Sequence, residues 1–279
     1  MRSLQSIGAC AARRAVGFRV SRPLQQATAG NPHIVVRVLL LGAMLAALSS
    51  TASAESLARP ASKPVEYCAS GVNANVLVRL RLRDGAHLVG ITAGSGKTGV
   101  LLLHQNGSDF CEWALYAQEL AADGYRTLAL SFRGFGSSRA PRRVLGRLDR
   151  DVAAGVAALK RRGGGRVVVV GASMGGTAAL VAAATLAPTP ASVISLSAPA
   201  TFGELNALRT VSKLRVPALF VAARGDGGSP ADARALHART HVRGSKLLLV
   251  AGGLHGVSLL GSGPPRVRAT LAAFIRLHG

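Results

Sequence analysis

The ten residues at 167–176, VVVVGASMGG, constrain the fold more than any other part of the chain. Four β-branched residues favour a strand, and the apolar residues after the glycines favour a buried helix. Between them, Gly-x-Ser-x-Gly is the pattern of a sharp strand-to-helix turn that presents a serine oxygen above a sheet. Gly171 and Gly175 suit this turn because a Cβ at either would collide with the neighbouring strand or helix. Ser173 is therefore a candidate nucleophile; the alternative is a glycine-rich turn that happens to contain a serine.

The rest of the chain alternates strands with helices. Residues 76–83 alternate apolar and basic side chains, Asp84 and Gly85 signal a hairpin turn, and residues 87–92 provide the return strand. Further strands are predicted at 100–103, 127–130, 192–196, 218–222 and 246–250, and helices at 110–122, 149–162, 174–187 and 266–277. This order predicts one α/β domain over residues 76–279, with three layers, a mostly parallel sheet, antiparallel N-terminal strands and helices on both faces.

Residues 1–54 are predicted to be a signal peptide. Six arginines and no acid accompany an apolar run at 38–48, and the small residues Ala52 and Ala54 match a cleavage site before Glu55. We therefore expect an extended arm at 55–75 and a secreted, periplasmic or cell-envelope protein. The alternative is an uncleaved N-terminal anchor helix, although the apolar run is short for a membrane span. The basic region is unusually long, which leaves the initiation site open.

Two of the three cysteines, Cys68 and Cys111, lie outside the predicted leader, which holds Cys10. An even pair in an exported protein favours one disulfide, and two buried thiols are the alternative. Neither their spacing nor their neighbours indicate a metal site, and no cofactor is expected.

The formal charge of the chain is +22, and removal of residues 1–54 leaves about +16. Such a charge favours nonspecific adsorption to anionic cell-wall or membrane surfaces. The arginines are scattered, aromatic residues make up only 4%, and no nucleic-acid motif is present, so specific nucleic-acid binding is not expected. The loop at 93–99 is not a phosphate loop, because Ile91 stands where that motif needs glycine. We expect a monomer acting on a small or acylated substrate.

A serine hydroxyl needs a positioned base to act as a nucleophile. Asp226 and His255 each lie in the loop after an apolar strand, and the carboxyl ends of parallel strands meet at one edge of a sheet. His255 can then take the proton of Ser173, while Asp226 orients the imidazolium. Other residues could in principle serve as the acid or the base, but their positions in the sequence suit helix, structural or terminal residues better. They are Asp232, His237, His241, His278, His87 and His104.

Two backbone N–H groups are expected to stabilise the oxyanion of the reaction. One is that of Met174, directly after the nucleophile. The other belongs to the loop at 104–107, where Asn106 and Gln105 are the alternatives. The residues that contact the substrate are not evident from the sequence.

Four segments of the chain resemble the α/β-hydrolase superfamily, and the resemblance covers roughly residues 76–279. They are the loop at 104–107 (HQNG), the segment at 131–138 (SFRGFGSS), the strand-to-helix turn, and the loops of Asp226 and His255. The superfamily commonly has His-Gly-x in the first segment, so Gln105 replaces the glycine and Asn106 aligns with the usual donor. It commonly has Asp-x-Arg-Gly-x-Gly-x-Ser in the second, where Ser131 replaces the acid.

The resemblance implies a small lidless serine hydrolase, similar to esterases and dienelactone hydrolases, that cleaves carboxylic esters through an acyl-enzyme. Ser173 distinguishes the chain from dienelactone hydrolases, which use cysteine, and from haloalkane dehalogenases, which use aspartate. Residues 197–211 are too few for a large cap, so we expect an open site. Peptidases and thioesterases use the same triad, and a noncatalytic binding protein is the alternative from another class.

Overall fold

An eight-stranded sheet organises residues 77–279, which together with Cys68 are the residues that the computed structural model describes. The predicted signal peptide at 1–54 and the predicted arm at 55–75, Cys68 apart, lie outside the described residues. The strands are β1 (Leu77–Arg81), β2 (His87–Ala93), β3 (Thr98–Leu103), β4 (Arg126–Leu130), β5 (Arg166–Ala172), β6 (Ser192–Leu196), β7 (Thr201–Phe202), β8 (Leu205–Asn206), β9 (Ala218–Ala223) and β10 (Lys246–Val250).

Residues 77–279 contain seven α-helices, five between strands and two after β10. They are α1 (Ala114–Ala122), α2 (Leu148–Arg161), α3 (Met174–Thr185), α4 (Ala207–Thr210), α5 (Ser229–Arg239), α6 (Ser258–Gly261) and α7 (Pro265–His278). Short 3-10 turns lie at Phe110–Trp113, Arg142–Val144 and Val211–Lys213. No helix within residues 77–279 is both long and apolar enough to cross a membrane.

The strand order is β1-β2-β4-β3-β5-β6-β9-β10. The pairs β1–β2 and β2–β4 are antiparallel, and the remaining pairs of this sheet are parallel. The predicted fold class, a mostly parallel sheet with antiparallel N-terminal strands, is therefore confirmed. The strands β7 and β8 form a separate small hairpin in the segment where a cap was not expected.

The central strands are apolar because both faces of the sheet are covered. The four valines of β5 are buried, and alternate ones contribute to a hydrophobic core on each face. One core packs against α2, α3 and α5, and the other against α1, α6 and α7. Residues 174–183 of α3 are all buried, as its uniformly apolar sequence predicts.

We name the two edges of the sheet after the direction of the parallel strands. The carboxyl edge is where β3, β4, β5, β6, β9 and β10 end, and the amino edge is where they begin. The register aligns these ends, since Leu103 pairs with Gly171 and Leu196 pairs with both Ala172 and Val221. Loops after the parallel strands therefore meet at the carboxyl edge.

The segment at 131–138 braces the carboxyl edge. Arg133 is buried, and its guanidinium donates to Asp151 at 2.6 and 2.9 Å and to Asp84 at 3.0 Å. The Ser131 hydroxyl, in the place of the family's usual acid, accepts the backbone N–H of Phe110 at 3.0 Å. The motif is therefore structural here, because it links the loop after β4 to β1–β2, to α2 and to the segment after β3.

Cys68 and Cys111 form a disulfide with their Cα atoms 5.6 Å apart. Cys111 lies in the 3-10 turn that begins the predicted helix at 110–122. Asp109 caps this turn, since its carboxylate accepts the N–H of Cys111 at 2.8 Å. The disulfide thus fixes the turn that follows the loop at 104–107.

Candidate active site

Ser173 occupies the turn between β5 and α3 in a strained conformation, with φ 48° and ψ −117°. It is half-exposed, whereas Ala172 and Met174 on either side are buried. A Cβ at Gly171 would overlap the carbonyl oxygen of Gly175, and one at Gly175 would lie 2.5 Å from the carbonyl oxygen of Leu103. Only glycine fits at these two positions, so the turn can lift the serine oxygen out of the sheet.

Asp226 and His255 meet at the carboxyl edge. Asp226 lies in the turn after β9, and His255 in the loop after β10. His255 Nδ1 lies 2.9 Å from both carboxylate oxygens of Asp226. A proton on Nδ1 donated to the carboxylate leaves Nε2 as the basic nitrogen. The Asp226 side chain is 12% exposed and that of His255 is 43% exposed, so the acid is sheltered and the base is open to solvent.

The end of β6 links the serine turn to the histidine loop. Ser173 N–H donates to the carbonyl oxygen of Leu196 at 2.8 Å, and the next residue, Ser197, accepts the N–H of Gly256 at 3.1 Å. Within residues 77–279, no hydrogen bond joins Ser173 to His255. The structure therefore brings all three predicted residues to one edge and joins two of them directly. Ser197 is a positioning residue that sequence reasoning missed, because nothing in the sequence marks its distant contact.

The competing residues have other contacts. Asp232, in the first turn of α5, accepts the N–H of Ala200 at 3.1 Å. His237 packs edge-on against the buried Phe220, with ring centroids 5.9 Å apart. His278 packs against Phe274 in α7. These contacts explain each residue without a catalytic role.

His104 holds the loop at 104–107 in place. Its Nε2 accepts the N–H of Phe132 at 2.9 Å, so Nδ1 carries the proton and donates to the carbonyl oxygen of Gln105 at 2.8 Å. Burial lowers the pKa of His104 to about 4, because it disfavours the charged imidazolium. His104 is therefore a neutral structural residue.

The hydrogen bonds of the same loop distinguish Gln105 from Asn106, the two alternatives for the second oxyanion donor. Gln105 N–H donates to the Glu112 carboxylate at 2.8 Å, so it is occupied. Within the described part of the chain, the N–H groups of Asn106 and Met174 donate to no protein acceptor. Of the two alternatives, Asn106 is thus the available one. The Gln105 side chain, which replaces a glycine, packs against Gly256 beside His255.

Glu112 is a second residue that sequence reasoning missed. It lies in the 3-10 turn next to Cys111, and burial raises its pKa to about 7, although the Gln105 N–H favours its charged form. An acid seven residues after Gln105 gives no sequence signal, because the contact depends on the turn. Among residues 77–279 and Cys68, no cluster of histidine, cysteine or acidic side chains could hold a metal ion.

Comparisons with known proteins agree with this architecture. A family model described as the alpha/beta hydrolase fold matches residues 99–258. An esterase of Pyrococcus furiosus superposes with a TM-score of 0.63 at 19% identity, covering 72% of this chain and 90% of its own. A hydrolase of Pseudomonas aeruginosa gives 0.61 at 17% identity, covering 73% and 99%. An esterase of Rhodococcus gives 0.58 at 17% identity, covering 73% and 100%.

No curated protein matches the sequence. At these identities the solved structures show a shared fold. The matched family region is more than half of the chain, and it includes the serine turn and the loops of Asp226 and His255. The protein therefore belongs to the α/β-hydrolase family.

Proposed function

We propose that the protein is a serine hydrolase that cleaves carboxylic esters through an acyl-enzyme. The observation that carries this proposal is the contact between His255 Nδ1 and both oxygens of Asp226, at the sheet edge that also presents the strained Ser173. An acid that orients a histidine, at the sheet edge that also presents a raised serine, supplies what acyl transfer requires.

In the first step, His255 Nε2 removes the proton of Ser173 Oγ as that oxygen attacks the ester carbonyl carbon. The N–H groups of Met174 and Asn106 stabilise the resulting oxyanion. In serine hydrolases one such donor stabilises the transition state by about 3–4 kcal/mol. The intermediate collapses, the ester C–O bond breaks, and the histidine proton passes to the departing alkoxide. Water then attacks the acyl-enzyme with His255 again as the base, which releases the acid and restores Ser173.

We also propose that the protein works outside the cytoplasm, secreted or in the cell envelope, as a monomer. The Cys68–Cys111 disulfide supports this location, since disulfides persist in oxidising compartments. The exposed His255 and the short segment between β6 and β9 support an open site for small or projecting acyl groups. No cofactor takes part in the proposed chemistry.

Labelling with a fluorophosphonate probe tests the nucleophile. We expect the wild type and Ser258→Ala, a control at an exposed serine near His255, to be labelled equally, and Ser173→Ala to remain unlabelled. Asp226→Asn should lower kcat on p-nitrophenyl esters by about 10⁴-fold, as expected when the acid that orients the base is lost. Asp232→Asn, with the same charge change, should retain activity.

A folded wild type that reacts with neither probe nor ester would overturn the proposal and favour a noncatalytic binding protein. Faster turnover of peptides or thioesters than of matched oxygen esters would keep the triad and replace the substrate class.

A further inference from the structure

The amino edge of the sheet, opposite the candidate active site, is strongly basic. Its cations lie in or just after the last turns of helices, or at and just before the first residues of the parallel strands, and all are exposed. They are Lys97, Lys160, Arg161, Arg162, Arg166, Lys213, Arg215, Arg239, Arg243, Lys246 and Arg276. We call this set the basic edge. It draws on four connections of the fold and on the last turn of α7.

Carboxylates are nearly missing from this edge. Within residues 77–279, every acid except Glu119 and Asp123 lies in a loop or first helical turn at the carboxyl edge. Glu119 pairs with Arg268 on the surface, which leaves Asp123 at the end of α1. No described side-chain carboxylate lies within ion-pair distance of any cation of the basic edge.

Helix stabilisation explains only part of this charge. Lys160, Arg161 and Arg239 lie in the last turns of α2 and α5, where cations complement the helix dipole. The cations near the first residues of strands, such as Lys97, Arg215 and Lys246, do not lie in the last turn of an α-helix, where they could complement its dipole. Their shared property is the direction in which they face, away from the active site.

An apolar feature lies among these charges. Leu277, near the end of α7, is 67% exposed. Beside it, a groove of about 380 Å³ runs between α7 and β10, lined by Lys246 and Arg266 together with Phe274 and Leu277. Cations around an exposed apolar side chain suit the headgroup region of a bilayer, where both contribute to binding.

We propose that the basic edge docks the protein on an anionic lipid bilayer. The strands from β3 to β10 spread these cations over about 19 Å along one edge of the sheet, wide enough for several lipid headgroups. Within residues 77–279, no phenylalanine, tyrosine or tryptophan is exposed, so the stacking platform used for single-stranded nucleic acid is missing there. Docking in this orientation directs Ser173 away from the lipid.

Co-sedimentation of the full chain with vesicles tests the proposal. We expect binding to phosphatidylcholine vesicles that contain phosphatidylglycerol, weakening as salt rises, and none to phosphatidylcholine alone. One variant replaces five cations of the basic edge with glutamine: Arg161, Arg162, Arg215, Arg243 and Lys246. A matched control replaces five exposed cations elsewhere: Arg79, Arg81, Arg142, Arg143 and Arg209.

The basic-edge variant should lose at least about tenfold in vesicle affinity, since each cation near an anionic surface contributes. The control should stay within about twofold, and both should melt like the wild type and keep full esterase activity on a soluble ester. Leu277→Ser should weaken binding to vesicles and leave DNA binding unchanged.

Equal losses in the two variants would assign the binding to net charge and overturn the proposal. So would absence of wild-type binding, or an affinity for DNA above that for vesicles that disappears only in the basic-edge variant.

Discussion

Backbone strain is concentrated in two serines. Ser173 and Ser197 are the non-glycine residues of the described chain with positive φ, at 48° and 52°. They follow the neighbouring strands β5 and β6. Ser173 N–H donates to Leu196 in β6, and the hydroxyl of the adjacent Ser197 accepts the N–H of Gly256 in the histidine loop. Such conformations persist only where the surroundings impose them. Their place at one edge is the local evidence for a functional site.

Glu112 gives a pH-dependent prediction. Its pKa is about 7 in the folded chain, against an ordinary value of 4.5, because burial disfavours the carboxylate. The folded state therefore binds more protons than the unfolded state between these pH values, and the contribution of Glu112 to stability falls as pH rises from 4.5 to 7. Glu112→Gln keeps an acceptor for Gln105 N–H and removes the titration.

Urea unfolding at pH 5 and pH 7 measures this contribution. The fall in free energy of unfolding between the two pH values should be smaller in Glu112→Gln than in the wild type, and Glu119→Gln, at an exposed acid, should behave like the wild type. An unchanged pH dependence in Glu112→Gln would contradict the assignment.

At the scale of elements, the helix α2 is joined to the segment at 131–138 by a buried ion pair. Arg133 and Asp151 are both fully buried, and the carboxylate accepts three donors from Arg133, two from the guanidinium and one from the backbone. Asp151→Asn should lower the free energy of unfolding by about 3–5 kcal/mol, because it removes the fully buried carboxylate and leaves the buried guanidinium with Asp84 as its charged partner.

Chemical denaturation checks this, with Glu119→Gln as the control. That residue pairs with Arg268 where both side chains are nearly half exposed, so its loss should cost less than about 1 kcal/mol. Equal effects of the two substitutions would show that the buried pair does not hold the elements together.

The sequence predicts elements better than it predicts contacts. Apolar runs bounded by turn residues mark β6 and β10 to the residue, since strand pattern and turn chemistry agree there. The predicted first strand at 76–83 is too long, because the chain turns at Leu82, whose N–H donates to Ala86. The predicted helix at 174–187 ends at Thr185, since the residue before Pro188 disfavours helix.

Some residues of the candidate site could likewise be predicted from the sequence, and others could not. Asp226 and His255 were predictable because each follows a recognisable strand, and a parallel sheet brings such loops together. Glu112 and Ser197 were not, since each acts through a backbone N–H of a segment distant in sequence. Residue type identifies the reacting groups, whereas their supports depend on the packed fold.

At the scale of the whole molecule, charge and fold are arranged along one axis. The α/β repeat sends the parallel strands from β3 to β10 toward the carboxyl edge and each long helix between two of them back toward the amino edge. Most acids lie where the parallel strands end, beside cations of the same loops, whereas the cations where these strands begin have few acidic neighbours. The same topology that assembles the candidate active site therefore separates it from the basic edge.

The disulfide stabilises the chain as a whole because it closes a long loop. Cys68 and Cys111 are 43 residues apart, and loop-closure entropy predicts a stabilisation of about 4 kcal/mol for that length. The double variant Cys68→Ser with Cys111→Ser should lose about 3–4 kcal/mol in free energy of unfolding, measured by urea denaturation. Wild type unfolded with a thiol reductant should match the variant, and Cys10→Ser should match oxidised wild type. Equal stability of the wild type with and without reductant would show that the bridge does not constrain the unfolded chain.

The disulfide should also affect activity. Because Cys111 adjoins Glu112, the double variant should lose esterase turnover at temperatures where it stays folded.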